Sequence, residues 1–138
     1  ALAARRAGAA VTCYGRDRGR VDALAGAIGV RGSLGPVPAA SWDLLVNATP
    51  VGTHPAGDET PFPGSRYDGK AVYDLVYNPP RTRFLRDAAA SGCRTIGGLE
   101  MLVEQARLQI ARWTGRTPEA EPMRQAAERA LARQAEQA

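Results

Sequence analysis

Three short stretches of this 138-residue chain place polar side chains where a ligand could be read. The apolar run Ala10 to Tyr14 (AVTCY) is followed by Gly15, Arg16, Asp17 and Arg20. In a dinucleotide-binding domain an acid at this strand end bonds the ribose 2′-hydroxyl of NAD. A small residue there, with arginines nearby, instead admits the 2′-phosphate of NADP. Gly15 with Arg16 and Arg20 therefore points to NADP. An arginine-rich turn bathed in water is the competing reading. Asp17 weighs on that side, since a carboxylate repels a phosphate unless it is turned away.

Asn47 and Thr49 end the run DLLVNA and open the turn Asn47 to Gly52 (NATPVG). Such a pair either touches a ligand or satisfies loop backbone. Tyr77 follows AVYDLV and is held by Asn78-Pro79-Pro80, which fixes its hydroxyl at a strand end; a packed aromatic is the alternative. Gly97-Gly98 lets the backbone approach a ligand at a helix start. Gln105, about two helical turns further on, presents both donors and an acceptor to a polyol, or else is solvated. His54 lies in a Pro-rich loop with no orienting partner and reads as a loop histidine rather than a general base. No Ser-His-Asp set, HExxH or paired-carboxylate signature is present, so the chemistry must come from a cofactor or from other sequence.

These residues need strands and helices to hold them. Ala1 to Gly8 reads as a helix tail capped by Gly8, Ala10 to Tyr14 as a strand, Val21 to Ile28 as a helix and Ser33 to Pro38 as a loop. Asp43 to Ala48 and Ala71 to Val76 read as buried strands joined by a long loop, Val51 to Gly69. A helix from Thr82 to Ser91, capped by Gly92, precedes a strand from Cys93 to Ile96. Leu99 to Thr114 has Leu99, Leu102, Val103, Ala106, Ile110 and Trp113 at core-facing spacing. Pro118 to Pro122 reads as an interruption and Met123 to Gln137 as a polar, alanine-rich last helix. Strands alternating with helices imply a doubly wound α/β fold, a parallel sheet with helices on both faces.

The net charge of +4 is nearly all arginine, Lys70 being the only lysine, and the arginines are interleaved with acids along the chain. A solvated surface is expected rather than a nucleic-acid site. No apolar run approaches the roughly 20 residues of a membrane span. Cys13 and Cys93 belong to no metal-binding cluster, and a reduced, cytoplasmic protein without a structural metal is expected. The start at Ala1 lacks signal-peptide features and reads as a truncation.

NATPVG at Asn47 to Gly52, VYDLVYNPPRTRFL at Val72 to Leu85 and GGLEMLVEQA at Gly97 to Ala106 stand in the order and spacing of one family. The chain resembles shikimate dehydrogenases over nearly its whole length. The resemblance implies NADPH-dependent reduction of 3-dehydroshikimate to shikimate, on the route to chorismate and the aromatic amino acids. It makes residues 1–118 a Rossmann-like NADP-binding domain and 119–138 a helical tail. The first strand, the GxGGxx loop and an N-terminal substrate domain with a proton-transferring lysine and aspartate are expected upstream, leaving no catalytic residue here. Tyr77 and Gln105 match substrate contacts, and Gly98 and Leu75 lie by the nicotinamide. Asn47 and Thr49 join the cofactor set. Gly15, Arg16 and Asp17 align with the family's Asn-Arg-Thr cofactor motif and Arg20 with its second arginine; the Asn and Thr are not kept. A homodimer is a further expectation. Alternatives are a quinate/shikimate dehydrogenase with relaxed cofactor use and a non-catalytic sensing domain.

Overall fold

The structure, a computed structural model, describes residues 1–39, 42–64 and 66–136. The chain divides into Ala1–Pro38 and Ala39–Ala138.

In the first part, α1 (Leu2–Arg6) leads to β1 (Thr12–Gly15), α2 (Arg18–Ile28) and β2 (Arg31–Leu34). Gly8, at φ 87°, follows the C-cap Ala7 of α1. β1 and β2 pair in parallel, Thr12 opposite Arg31 and Gly15 opposite Leu34, and α2 packs on both. Parallel neighbours need such a crossover. Val21 and Ala25, one turn apart, are the buried residues of α2. A Cβ on Gly15 would lie 2.6 Å from Val21 Cγ2, and one on Gly32 2.7 Å from Val21 Cγ1. Both strands thus give up a side chain so that the helix can sit close. The expected loop Ser33 to Pro38 is corrected here, because Ser33 and Leu34 belong to β2. RGSL lacks a strand's alternation: Arg31 is exposed and Gly32 makes room for α2.

The second part holds β3 (Leu44–Asn47), β4 (Ala71–Asp74), α3 (Arg83–Ala90), β5 (Arg94–Ile96), α4 (Gly98–Thr114) and α5 (Ala120–Glu136). Its sheet runs β3-β4-β5, all parallel, with Leu45 opposite Val72, Asn47 opposite Asp74 and Val72 opposite Thr95. α3 packs on β4 and β5. Leu45, Val72, Val76, Phe84, Leu85, Ala88, Cys93 and Val103 are buried. The long loop between β3 and β4 is pinned to α3, Phe62 and Tyr67 bringing their ring centroids to 5.1 and 5.8 Å from that of Phe84. Arg86 adds an exposed ion pair to Asp58 at 2.8 Å.

Two expectations about the C-terminal helices are corrected. Trp113 is 76% exposed rather than core-facing, and only Val103 of the predicted α4 set is fully buried. The connection to α5 already meets α4 at Arg107, whose Nε donates to Pro118 O at 2.9 Å, and the last turn of α4 stays open. Pro118 to Pro122 is not an interruption throughout, since α5 starts at Ala120. Pro122 falls in its first turn, where a backbone N–H would have no helical partner to lose. Gln137, the expected end of that helix, lies outside the described residues.

Candidate cofactor and substrate site

Asn47 ends β3, Asp74 ends β4, and both are fully buried. Asn47 Nδ2 donates to Asp74 Oδ1 at 2.9 Å and to Val51 O at 3.1 Å. Its Oδ1 accepts from Thr49 N at 2.9 Å and Thr49 Oγ1 at 2.8 Å. The carboxamide has thus spent both donor hydrogens and both lone pairs within the protein. Asp74 Oδ1 also accepts from Val76 N at 3.0 Å, and its Oδ2 from Thr82 Oγ1 at 2.5 Å. Thr82, fully buried, is the N-cap of α3 and accepts from Leu85 N at 3.3 Å. One continuous network therefore fixes the ends of two strands and the start of a helix.

Gly98 is the first residue of α4 and is buried. A Cβ there would lie 2.5 Å from Leu75 O and 2.6 Å from Val76 O. Backbone cannot move aside as a side chain can, so the close approach of α4 to the residues after β4 requires glycine. On the same strand-end side lies an open cleft of about 490 Å³, lined among others by Thr49, Thr53, Leu75, Tyr77, Asn78 and Gln134. Tyr77 is 41% exposed there and is not a packed aromatic. Gln105 is exposed on α4 and is not among the cleft-lining residues. His54 is exposed in the loop, its backbone N–H donating to Asn78 O at 2.9 Å.

At the end of β1, Asp17 is the N-cap of α2, and its Oδ1 accepts from Arg20 N at 2.9 Å. The carboxylate is therefore turned onto the helix start. Arg16 and Arg20 are exposed, and their side chains form no hydrogen bond or ion pair among the described residues. Elsewhere, burial and, secondarily, the charge of Asp68 raise the Cys93 thiol pKa above its ordinary value. Cys93 Sγ lies 3.4 Å from Tyr67 O and 3.3 Å from Gly69 O. No cluster of three or more metal-ligating side chains, and no helix long and apolar enough to cross a membrane, occurs among the described residues.

Residues 98–128 match the family described as Shikimate 5'-dehydrogenase C-terminal domain. Over 90 residues, the chain is 46% identical to the shikimate dehydrogenase (NADP(+)) of Archaeoglobus fulgidus, which covers 64% of this chain and 34% of that protein. The chain belongs to the shikimate dehydrogenase family. Its fold is similar to that of the Thermus thermophilus shikimate 5-dehydrogenase solved with NADP(H) and shikimate, with a TM-score of 0.81 and 41% identity over 91% of this chain and 48% of that one. The quinate dehydrogenase of Corynebacterium glutamicum, solved with NAD, is similar at a TM-score of 0.72 and 33% identity over 90% of this chain and 48% of that one. The chain thus spans between a third and a half of the length of these relatives.

Within this shikimate dehydrogenase family domain, sequence reading missed Asp74, Thr82 and Gln134. A signal existed for the first two: an acid inside the apolar run AVYDLV, and a Thr immediately before a helix, the usual N-cap choice. Gln134 sits in a polar, alanine-rich segment that offers none.

Proposed function

We propose that this chain is the cofactor-binding part of an NADP-dependent shikimate dehydrogenase, which reversibly reduces 3-dehydroshikimate to shikimate on the route to chorismate. Residues 1–118 form the cofactor domain and 119–138 the helical tail. The observation that carries the NADP preference is the turn after β1, with two unpartnered arginines beside a carboxylate committed to a helix cap. Such a turn fits a phosphate: Arg16 and Arg20 would hold it, while the Asp17 carboxylate is turned onto the start of α2. The bound NADPH supplies the hydride.

The chain's own residues bind and orient. In this reading, Tyr77 and Gln105 hold the substrate, Gly98 and Leu75 shape the backbone beside the nicotinamide, and Asn47 fixes the turn that carries Thr49 toward the cofactor. Proton transfer falls to the family's lysine and aspartate in an N-terminal substrate domain. Orientation alone matters, since misplacing a reactant by about 1 Å can cost about 100-fold in rate. The setting would be the cytoplasm, with both cysteines free, and a homodimer is the proposed assembly.

Calorimetric titration with NADP and NAD of a hybrid that carries this chain in place of the corresponding segment of the Thermus thermophilus enzyme tests the reading. NADP is expected to bind more tightly, and Arg20→Ala to weaken NADP about tenfold while leaving NAD unchanged, the size of one charge-assisted contact. Equal affinity for both cofactors would reject the assignment. A second reading, quinate and shikimate oxidation with relaxed cofactor choice, is favoured by Asp17 standing where the family keeps Thr and by the likeness to the quinate dehydrogenase. Exchanging the chain for the corresponding segment of the Thermus thermophilus enzyme and comparing shikimate with quinate separates the two.

A further inference from the structure

α5 brings a residue to the cleft that the reading above leaves unused. Arg107 of α4 bonds Pro118 O at 2.9 Å, whereas Arg124 of α5 pairs with Glu100 at 3.5 Å. Moving forward along α5 is therefore moving backward along α4, and the two helices are antiparallel. From Arg124 to Gln134 is about 15 Å of helix. That length carries α5 past the first turn of α4 and out to the strand-end side, where Gln134 lines the cleft with Thr49, Thr53, Tyr77 and Asn78.

The charged side chains nearer the start of α5 are paired, Arg124 with Glu100 and Glu121, and Gln125 Nε2 donates to Glu121 at 2.9 Å. Gln134 is different. Its Oε1 accepts from Asn78 Nδ2 at 3.4 Å, at the long limit for a hydrogen bond, and its Nε2 donates to nothing among the described residues. A carboxamide oriented by its oxygen, with two donor hydrogens in hand, is equipped to meet an acceptor oxygen in the cleft that Tyr77 also lines.

We propose that Gln134 is a substrate-positioning residue, donating from α5 to an oxygen of the polyol acid, so that the C-terminal helix forms one wall of the substrate site. The inference rests on the shikimate dehydrogenase reading. Its test uses the Thermus thermophilus enzyme carrying this chain, isotope-labelled, in place of its corresponding segment, titrated with shikimate and observed by nuclear magnetic resonance. The Gln134 side-chain amide and the Tyr77 ring should shift together along one binding curve. Gln134→Ala should raise the dissociation constant about fivefold, the loss of one hydrogen bond, with the affinity for NADP unchanged. Gln134 is exposed, so this variant should fold as the parent does. If Tyr77 shifts while the Gln134 amide stays still, or if Gln134→Ala binds shikimate as well as the parent, the inference fails and the substrate reading stands. If neither residue responds, the substrate reading fails and the inference falls with it.

Discussion

The turn after β1 and the ends of β3 and β4 use polar side chains in opposite ways. At Asn47, Asp74 and Thr82 every side chain is fully buried and bonded to protein. At Gly15 to Arg20 only Asp17 is engaged, and Arg16 and Arg20 extend into solvent. The first arrangement sets geometry, because its groups are buried out of a ligand's reach and already bonded within the protein. The second holds charge in reserve, and its cost to stability is small because the arginines stay hydrated. A residue in the motif of a binding family can therefore serve binding from behind, by fixing a turn, as Asn47 does for Thr49.

Breaking the buried network should have the largest effect. Asp74→Ala removes three accepted hydrogen bonds and leaves Asn47 Nδ2, Val76 N and Thr82 Oγ1 each short of an acceptor, which should cost about 3 kcal/mol. Both tryptophans, Trp42 and Trp113, lie in 39–138. Urea unfolding followed by their fluorescence therefore reports this part of the molecule, and an unchanged midpoint would show that the network is dispensable.

Asp17→Ala probes the other region. Loss of the N-cap should destabilise α2 by about 1 kcal/mol. It should also tighten NADP modestly, by removing a negative charge near the phosphate. Hydrogen exchange of the α2 amides and cofactor titration read the two consequences separately. If the cap is lost and NADP weakens, the carboxylate helps to hold the arginine turn in shape, and the contrast between the regions narrows.

The smallest effect concerns pH and the interior of 39–138. The Cys93 thiol has a folded pKa above its ordinary value, so the folded state keeps the proton while the unfolded chain releases it. Its contribution to stability is full below the ordinary thiol pKa and is lost as pH rises through the raised folded value. The urea midpoint should fall slightly between about pH 8 and pH 10. Cys93→Ser should flatten that slope, and an unaltered slope would assign it to other groups.

Much of this was legible in the sequence. β3 and β4 are short apolar runs and α3 has a capping Thr, so local pattern and tertiary burial agree. β2 was hidden because its glycine exists to accommodate α2, a reason that lies in Val21 and Ala25 rather than in RGSL. Trp113 misled because helical spacing shows which face it shares but not how far along α4 the cover extends. The polar residues of the site were visible by type, whereas their division of labour was not. Asn47 and Asp74 are 27 positions apart, and only the pairing of β3 with β4 puts them side by side.

That pairing also acts as a proofreader of strand alignment. The apolar runs of β3 and β4 discriminate little between neighbouring registers, since the first three residues of each, Leu44, Leu45 and Val46 against Ala71, Val72 and Tyr73, are all apolar or aromatic. A shift of one residue would set Tyr73 or Leu75 opposite Asn47, strand a buried carboxamide without its carboxylate, and turn Asp74 toward the wrong face of the sheet. The Asn47-Asp74 contact thus makes a misaligned sheet costly where hydrophobicity alone would tolerate it.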